Sequence, residues 1–182
     1  MLPTKRVRTG SIGGHGAPKN GWLQSSSCES KPESFSMHTH PDFEDFLRLL
    51  EANRVEYMIV GGYAVAYHGF PRFTKDLDIF FADDAGNLER LQSALIAFGF
   101  EATSVPLEAL GRPGAILAIG IEPVRIDLLN RIAGVTFAEA RPNTVRGRYG
   151  TSEVTFIGRV DLLHNKRSTG RQRDRGDVEE LA

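Results

Sequence analysis

Disulfides, a multi-cysteine metal centre and a membrane-spanning segment are all beyond what this sequence can build. Cys28 is the single cysteine among 182 residues, which excludes an internal disulfide framework and a zinc site made of several thiolates. No apolar run approaches the roughly 20 residues of a bilayer-spanning helix. The formal net charge is −1, so no whole-chain field draws the protein to nucleic acid. A local basic patch remains open, and the C-terminal third is the place for it. The basic start, Met1 to Gly10, lacks a following apolar stretch and does not read as a secretory signal. A cytoplasmic protein with no membrane partner is the expectation.

What is present is core material for one domain. Hydrophobic residues make up 41% and charged residues 25% of the chain, ordinary globular proportions that still leave room for a disordered tail. The first 36 residues differ from the rest. They are rich in Gly, Ser, Pro and Lys/Arg, and Ile12, Trp22 and Leu23 follow no period. Such a segment buries too little apolar surface to offset its conformational entropy. We therefore expect a disordered extension over 1–36 and a folded domain over 37–182, with Met37 as the true start or the arm as a dispensable appendage. The Gly13-Gly14-His15-Gly16 cluster lacks a following Lys-Ser/Thr and a strand–helix setting, so it is not read as a phosphate loop. Cys28, inside the arm, gives no sign of an activated thiolate.

From His40 onward the pattern is regular. Pro41, Asp42 and Glu44 suit the start of a helix, and Phe43, Phe46, Leu47 and Leu50 supply its apolar stripe. Met58-Ile59-Val60 reads as a buried strand, Tyr63 to His68 as a short helix, and Asp76 to Phe81 as a second strand. Asp83-Asp84 caps a helix carrying Leu88, Leu91, Leu95 and Phe98, closed by Gly99. Strands follow around Ile116–Ile119 and Val124–Leu129, flanking a turn over Gly120–Pro123. A helix near Phe137–Ala140 and a strand near Val154–Ile157 come next. Two helical pieces, Val160–Lys166 and Arg173–Leu181, end the chain. Helices and strands interleave without strict alternation, which predicts an α/β (α+β) domain with a mixed sheet flanked by helices.

The chemistry concentrates in Gly61-Gly62 and Asp76-Leu77-Asp78-Ile79. Residues two apart on a strand share a face, with Cα atoms roughly 6–7 Å apart. Asp76 and Asp78 then project together while Leu77 and Ile79 enter the core. Two converging carboxylates repel unless a cation lies between them, and Mg²⁺ or Mn²⁺ bridging to phosphates suits them. A strand ending in Gly-Gly before a helix lets a phosphate approach the backbone closely. In Val124-Arg125-Ile126-Asp127-Leu128-Leu129, alternation sends Arg125 and Asp127 to the polar face. Asp127 is then a general base or a further metal ligand; the plainer alternative is an ion pair with Arg125 or a nearby Lys.

Gly61-Gly62 followed by Asp76-Leu77-Asp78-Ile79 resembles the signature of the DNA polymerase beta-like nucleotidyltransferase superfamily. Tyr63-Ala64, His68 and Arg72-x-Thr74-Lys75 are similar to a bacterial branch of minimal nucleotidyltransferases and abortive-infection toxins of the AbiEii type. The resemblance runs from about Phe43 to the C-terminus. It implies a nucleotidyltransferase fold, with Asp76 and Asp78 as metal ligands and Asp127 as the third acid. It implies a nucleoside triphosphate (NTP) as substrate, with Gly61, Gly62, Arg72, Thr74, Lys75 and Lys166 around it. The acceptor would be a protein or an RNA end, with a toxin or antitoxin protein as partner. Arg72 and Lys75 also read as solvated loop charges, His68 as a residue at a helix C-terminus, and Asp161 and Asp174 as helix caps. His38 and His40 form an H-x-H at a helix start with no acid cluster nearby, and read as solvent-exposed. The ending Asn165-Lys166-Arg167-x-x-Gly170-Arg171-x-Arg173-Asp174-x-x-Asp177 also resembles the family's, though Arg173 stands where Lys is usual and Arg175 where an apolar residue is usual. Tyr63-Ala64 after the glycines departs from the Gly-Gly-Trp-Gly of the lincosamide-modifying branch, which disfavours an antibiotic acceptor. An antitoxin-like subunit and a nucleotide sensor are the alternatives to an active transferase, and the three acids favour the transferase.

Overall fold

The computed structural model describes residues 39–71, 74–121 and 124–182. The arm expected over 1–36, the start proposed at Met37 and His38 lie outside them. The first helix, α1 (Pro41–Ala52), opens on a proline whose missing N–H leaves no helical bond unmade. It is capped by His40, whose Nδ1 accepts from the Asp42 N–H at 3.2 Å. Phe43, Phe46, Leu47 and Leu50 are all buried, each contributing about 1.5–3 kcal/mol. The chain continues through β1 (Tyr57–Ile59), α2 (Gly61–Tyr67), β2 (Asp76–Phe81) and α3 (Ala85–Phe98). After a short α4 (Leu107–Leu110) come β3 (Ile116–Ile121), β4 (Val124–Leu129), α5 (Phe137–Ala140), β5 (Val145–Tyr149) and β6 (Ser152–Phe156), and a helical pair, α6 (Arg159–Thr169) and α7 (Gln172–Leu181), ends the chain.

The six strands form one mixed sheet in the order β3-β4-β2-β1-β6-β5. Strand β2 runs antiparallel to β1 and parallel to β4, β1 runs parallel to β6, and the antiparallel β3 and β5 form the edges. This is the mixed α/β architecture expected. Two elements, α4 and β5, escape sequence reading. In β5 the alternation Val145, Gly147, Tyr149 is hidden by the glycine. Gly147 is required there because a Cβ would stand 2.4 Å from the Tyr67 ring, which is stacked on Phe156 with centroids 4.0 Å apart. No helix among the described residues is long and apolar enough to cross a membrane.

Strand β2 has two chemical ends. Leu77, Ile79 and Phe81 are buried on one face, whereas the opposite face begins with Asp76 and Asp78 and ends with buried Phe80, covered by Phe137 at 5.3 Å between ring centroids. The far end of β2 is fixed by Asn87. Fully buried in the first turn of α3, its amide donates to the carbonyls of Glu56 (3.0 Å) and Ala82 (2.8 Å) and accepts from the Glu56 N–H at 2.7 Å. The helix start itself is capped by Asp84, which accepts from the Asn87 N–H. Asn87→Ala leaves the Glu56 N–H and the Ala82 carbonyl without that partner, while the Glu56 carbonyl keeps the Ala82 N–H, and is predicted to cost roughly 2–4 kcal/mol, read as a lower urea midpoint with unchanged slope. A midpoint within experimental error of the parent would contradict that role.

Candidate active site

The parallel pairing of β2 with β4 sets the site. Its register puts Asp76 opposite Arg125 and Asp78 opposite Asp127. Paired residues on neighbouring strands share a face about 4.8 Å apart, so all four side chains project together. The alternation in the sequence made each pair share a face; the register brings the two pairs side by side. Arg125 Nη2 donates to Asp76 Oδ2 and to Asp127 Oδ2, each at 3.0 Å. Asp127 is therefore paired with Arg125, the plainer of the two alternatives, while still standing beside Asp78.

Asp78 sits where its charged form is disfavoured. Burial, and then the neighbouring carboxylates Asp127 and Asp76, push its pKa up to about 6, against the opposing pull of Lys166 and Arg125. Its carboxylate lies against Gly61. A Cβ on Gly61 would fall 1.9 Å from Asp78 Oδ2, and one on Gly62 would fall 2.5 Å from Thr74 Oγ1. Gly61 also has φ +63°, a conformation that favours glycine. The glycine pair forms the first turn of α2 instead of preceding it. Its immediate structural reason is close approach of Asp78 and Thr74 to the backbone.

These residues sit in a cleft of about 410 Å³ lined by Gly61, Gly62, Thr74, Asp76, Asp78, Arg125, Asp127, Lys166, Arg171 and Arg173, with Ile116, Leu129, Ile132 and Ala133 as an apolar flank. Lys75 is exposed and stands outside that lining; Arg72 lies outside the described residues. His68 is the C-cap of α2, and its ring Nε2 lies 2.8 Å from the Ile157 carbonyl oxygen. His40 is only partly exposed, because it caps α1.

Two cap assignments need correction. Asp174 is buried in the third position of α7, 2.7 Å from Lys166 Nζ, with Asp177 at 2.9 Å from the same nitrogen. Burial raises the Asp174 pKa, but hydrogen bonds from Lys166 and Thr169 outweigh it and hold the carboxyl below the usual range. Asp161 lies inside the first turn of α6, whose N-cap is Gly158, and accepts from Asn143. Sequence reading treats an Asp near a helix start as a cap; here the spacing of 174 and 177 puts both acids on the face turned to Lys166. The residue it passes over is Arg131, which also lines the cleft; it reads Arg125 only as a partner for Asp127, and Arg171 only as part of the C-terminal motif.

The acids fit a divalent cation. Among the described residues no group of three or more His, Cys, Asp or Glu side chains is arranged around one ion position, and the Arg125 guanidinium stands between two of the carboxylates. The donors are all oxygen, as Mg²⁺ and Mn²⁺ require. Asp76 Oδ1 is buried with no hydrogen-bond partner, and burial, with the neighbouring Asp127 carboxylate next, disfavours the charged form of Asp78 where no divalent cation lies beside it.

The Asp78 shift carries a stability prediction. A carboxyl whose folded pKa lies above its unfolded value of 3.8 binds more protons folded than unfolded from about pH 4 to 6. Its contribution therefore falls as pH rises through that window and stays low above it. In chelator, Asp78→Asn is predicted to lose this part of the decline and to gain up to about 3 kcal/mol over the parent at pH 7.5. Urea titrations at pH 4.5, 6 and 7.5 check this; parallel stability curves for the two proteins would contradict it.

Residues 39–182 match the model of a family described as nucleotidyl transferase of unknown function (DUF2204). Among solved structures, the lincosamide antibiotic adenylyltransferase LnuA, lincomycin-bound, is 17% identical, with a TM-score of 0.48, over 79% of this chain and 96% of that one. An antigenic nucleotidyltransferase-like protein from Paracoccidioides brasiliensis is 12% identical, with a TM-score of 0.47, over 77% of this chain and 72% of that one. No curated protein matches the chain. With its whole described domain matched, the chain belongs to this nucleotidyl transferase family and is a nucleotidyltransferase.

Proposed function

We propose that the chain transfers a nucleoside monophosphate from an NTP, in a Mg²⁺- or Mn²⁺-dependent reaction, to a hydroxyl of a protein or an RNA end. The observation that carries this reading is the meeting of Asp76, Asp78 and Asp127 on adjacent central strands. Asp76 and Asp78 would hold the ions, and Asp127 would orient the acceptor hydroxyl and take its proton. Bound there, divalent ions supply charge neutralisation at the attacking and leaving oxygens. The acceptor oxygen bonds to the α-phosphorus, the bond from that phosphorus to the bridging oxygen breaks, and pyrophosphate leaves.

Lys166, Arg171 and Arg173 line the same cleft as the acids and are suited to a triphosphate, as are Gly61, Gly62 and Thr74. Lys166 is held by Asp174 and Asp177, which fixes its ammonium group within electrostatic reach of Asp78. The resemblance to abortive-infection toxins supports a setting in a toxin–antitoxin or phage-defence system, inside the cytoplasm.

The test is incubation of the protein with Mg²⁺, each α-labelled triphosphate and a cell extract, followed by separation of labelled protein from labelled RNA. Label should appear on one macromolecular class and vanish with Asp76→Asn or Asp78→Asn, while both variants keep their fold. Asp127→Ala should lower the single-turnover rate by orders of magnitude, a barrier change of several kcal/mol, with little loss of triphosphate affinity. Full activity in any of the three variants would remove that acid from the reaction, and matched losses of rate and affinity for Asp127→Ala would move it to the ion-binding set.

A further inference from the structure

The cleft continues past Asp127 along the line of β4. Residues two apart on a strand share a face, in steps of roughly 6–7 Å. Leu129 comes next on the face of Asp127, with Ile116 of the edge strand β3 directly opposite it. Ile116 is 68% exposed, and with Leu129 and Ile132 it gives the cleft an apolar floor next to the acids. Arg131 follows two residues after Leu129 and lines the same cleft. A carboxylate, an apolar floor and a guanidinium therefore succeed one another along one stretch of chain.

Arg131 is held in place from two directions. Its Nη1 lies 2.8 Å from Asp83 Oδ2 and donates to the Asn130 carbonyl oxygen at 2.8 Å. Asn130 is itself fully buried, and its amide donates to the carbonyls of Leu110 (3.0 Å) and Arg112 (2.8 Å). The Arg131 side chain is 51% exposed, and an ion pair so open to water is worth little. Asp83, outside the cleft lining, therefore orients the guanidinium more than it neutralises it. The cations suited to the triphosphate, Lys166, Arg171 and Arg173, reach the cleft from α6 and the start of α7. Arg131 comes instead from the end of β4, beyond the acid read as serving the acceptor. A fixed guanidinium there suits an acceptor that carries a phosphate of its own, which its planar fork matches with paired bonds.

We propose that Asp127, the Ile116–Leu129 floor and Arg131 form an acceptor subsite for the last nucleotide of an RNA strand. The 3′-hydroxyl meets Asp127, the sugar and base lie over the apolar floor, and the last internucleotide phosphate lies on Arg131. Hydroxyl, apolar ring and phosphate is the order of groups met on walking back along a strand from its 3′ oxygen. A serine, threonine or tyrosine acceptor supplies the hydroxyl but gives no use to the fixed guanidinium beyond it. Contact through sugar and phosphate carries little sequence information and is weakened by salt. The inference rests on the transferase reading above and narrows its acceptor to RNA.

The experiment is fluorescence anisotropy of a short 5′-labelled oligoribonucleotide with the full chain, Mg²⁺ and no NTP, over a range of salt concentrations. A second strand of the same sequence carries a neutral methylphosphonate at its last linkage. Arg131→Gln should bind the natural strand roughly tenfold more weakly than the parent. Its salt slope should be shallower by about 0.7, the single-strand value for one phosphate. The neutral linkage should cost the parent a similar factor and cost Arg131→Gln little more, because both changes remove the same contact. Arg131→Lys should keep the salt slope and lose part of the affinity, since it keeps the charge without the fork. If Arg131→Gln does not fold, the comparison is made with Arg131→Lys, whose loss on the neutral linkage should be smaller than the parent's. Equal losses on that linkage in parent and variant, or no binding of the natural strand, overturn the proposal. The labelling assay separates the two failures. Label confined to protein overturns the RNA subsite and leaves the transferase reading standing, whereas no label with the Arg131 effect intact sinks the transferase reading and leaves the subsite.

Discussion

Three carboxylates projecting from adjacent central strands repel one another, and the local structure answers that repulsion. Asp78 stands between Asp76, two residues away on its own strand, and Asp127, its partner across the parallel pair. Arg125 bridges the outer two acids, and Lys166 acts on Asp78 from the helical pair. Gly61 is glycine because the Asp78 carboxylate occupies the space of its side chain. Remove the acids and the glycine at 61 and the bridging arginine lose their common reason.

The second charged cluster supports the first from behind. Lys166, Asp174 and Asp177 are each less than a tenth exposed at the side chain. A buried lysine shared by two aspartates contributes little net stability, because desolvation offsets much of the attraction, but breaking it by removing one partner is costly. Here it joins α6 to α7 at the cleft wall, and Arg159 ties the other end of the pair by donating to the Leu181 carbonyl oxygen. The geometry fixes the lysine head relative to the sheet, which a surface lysine with four rotatable bonds would not be.

Local signals made much of this legible. A period of 3.6 in Phe43, Phe46, Leu47 and Leu50 and a period of 2 in Asp76 to Phe81 depend only on neighbours in the chain, and both elements form where they were expected. The shared face of Asp76 and Asp78, and that of Arg125 and Asp127, follow from the same rule. The register that sets Asp78 against Asp127 joins strands about fifty residues apart and has no local signature. Asp174 shows the same limit, since its burial depends on a lysine from another helix. Strand β5 was hidden because Gly147 yields its side chain to the Tyr67–Phe156 stack, a constraint imposed by distant residues.

The central proposal is that Asp76 and Asp78 hold a divalent cation beside a triphosphate in the cleft. It is tested most directly by a crystal structure grown with Mn²⁺ and a non-hydrolysable triphosphate, with data collected at the manganese absorption edge. The account predicts an anomalous peak bounded by Asp76 and Asp78, with the triphosphate in the same cleft. A triphosphate bound with no manganese peak at these acids would contradict it.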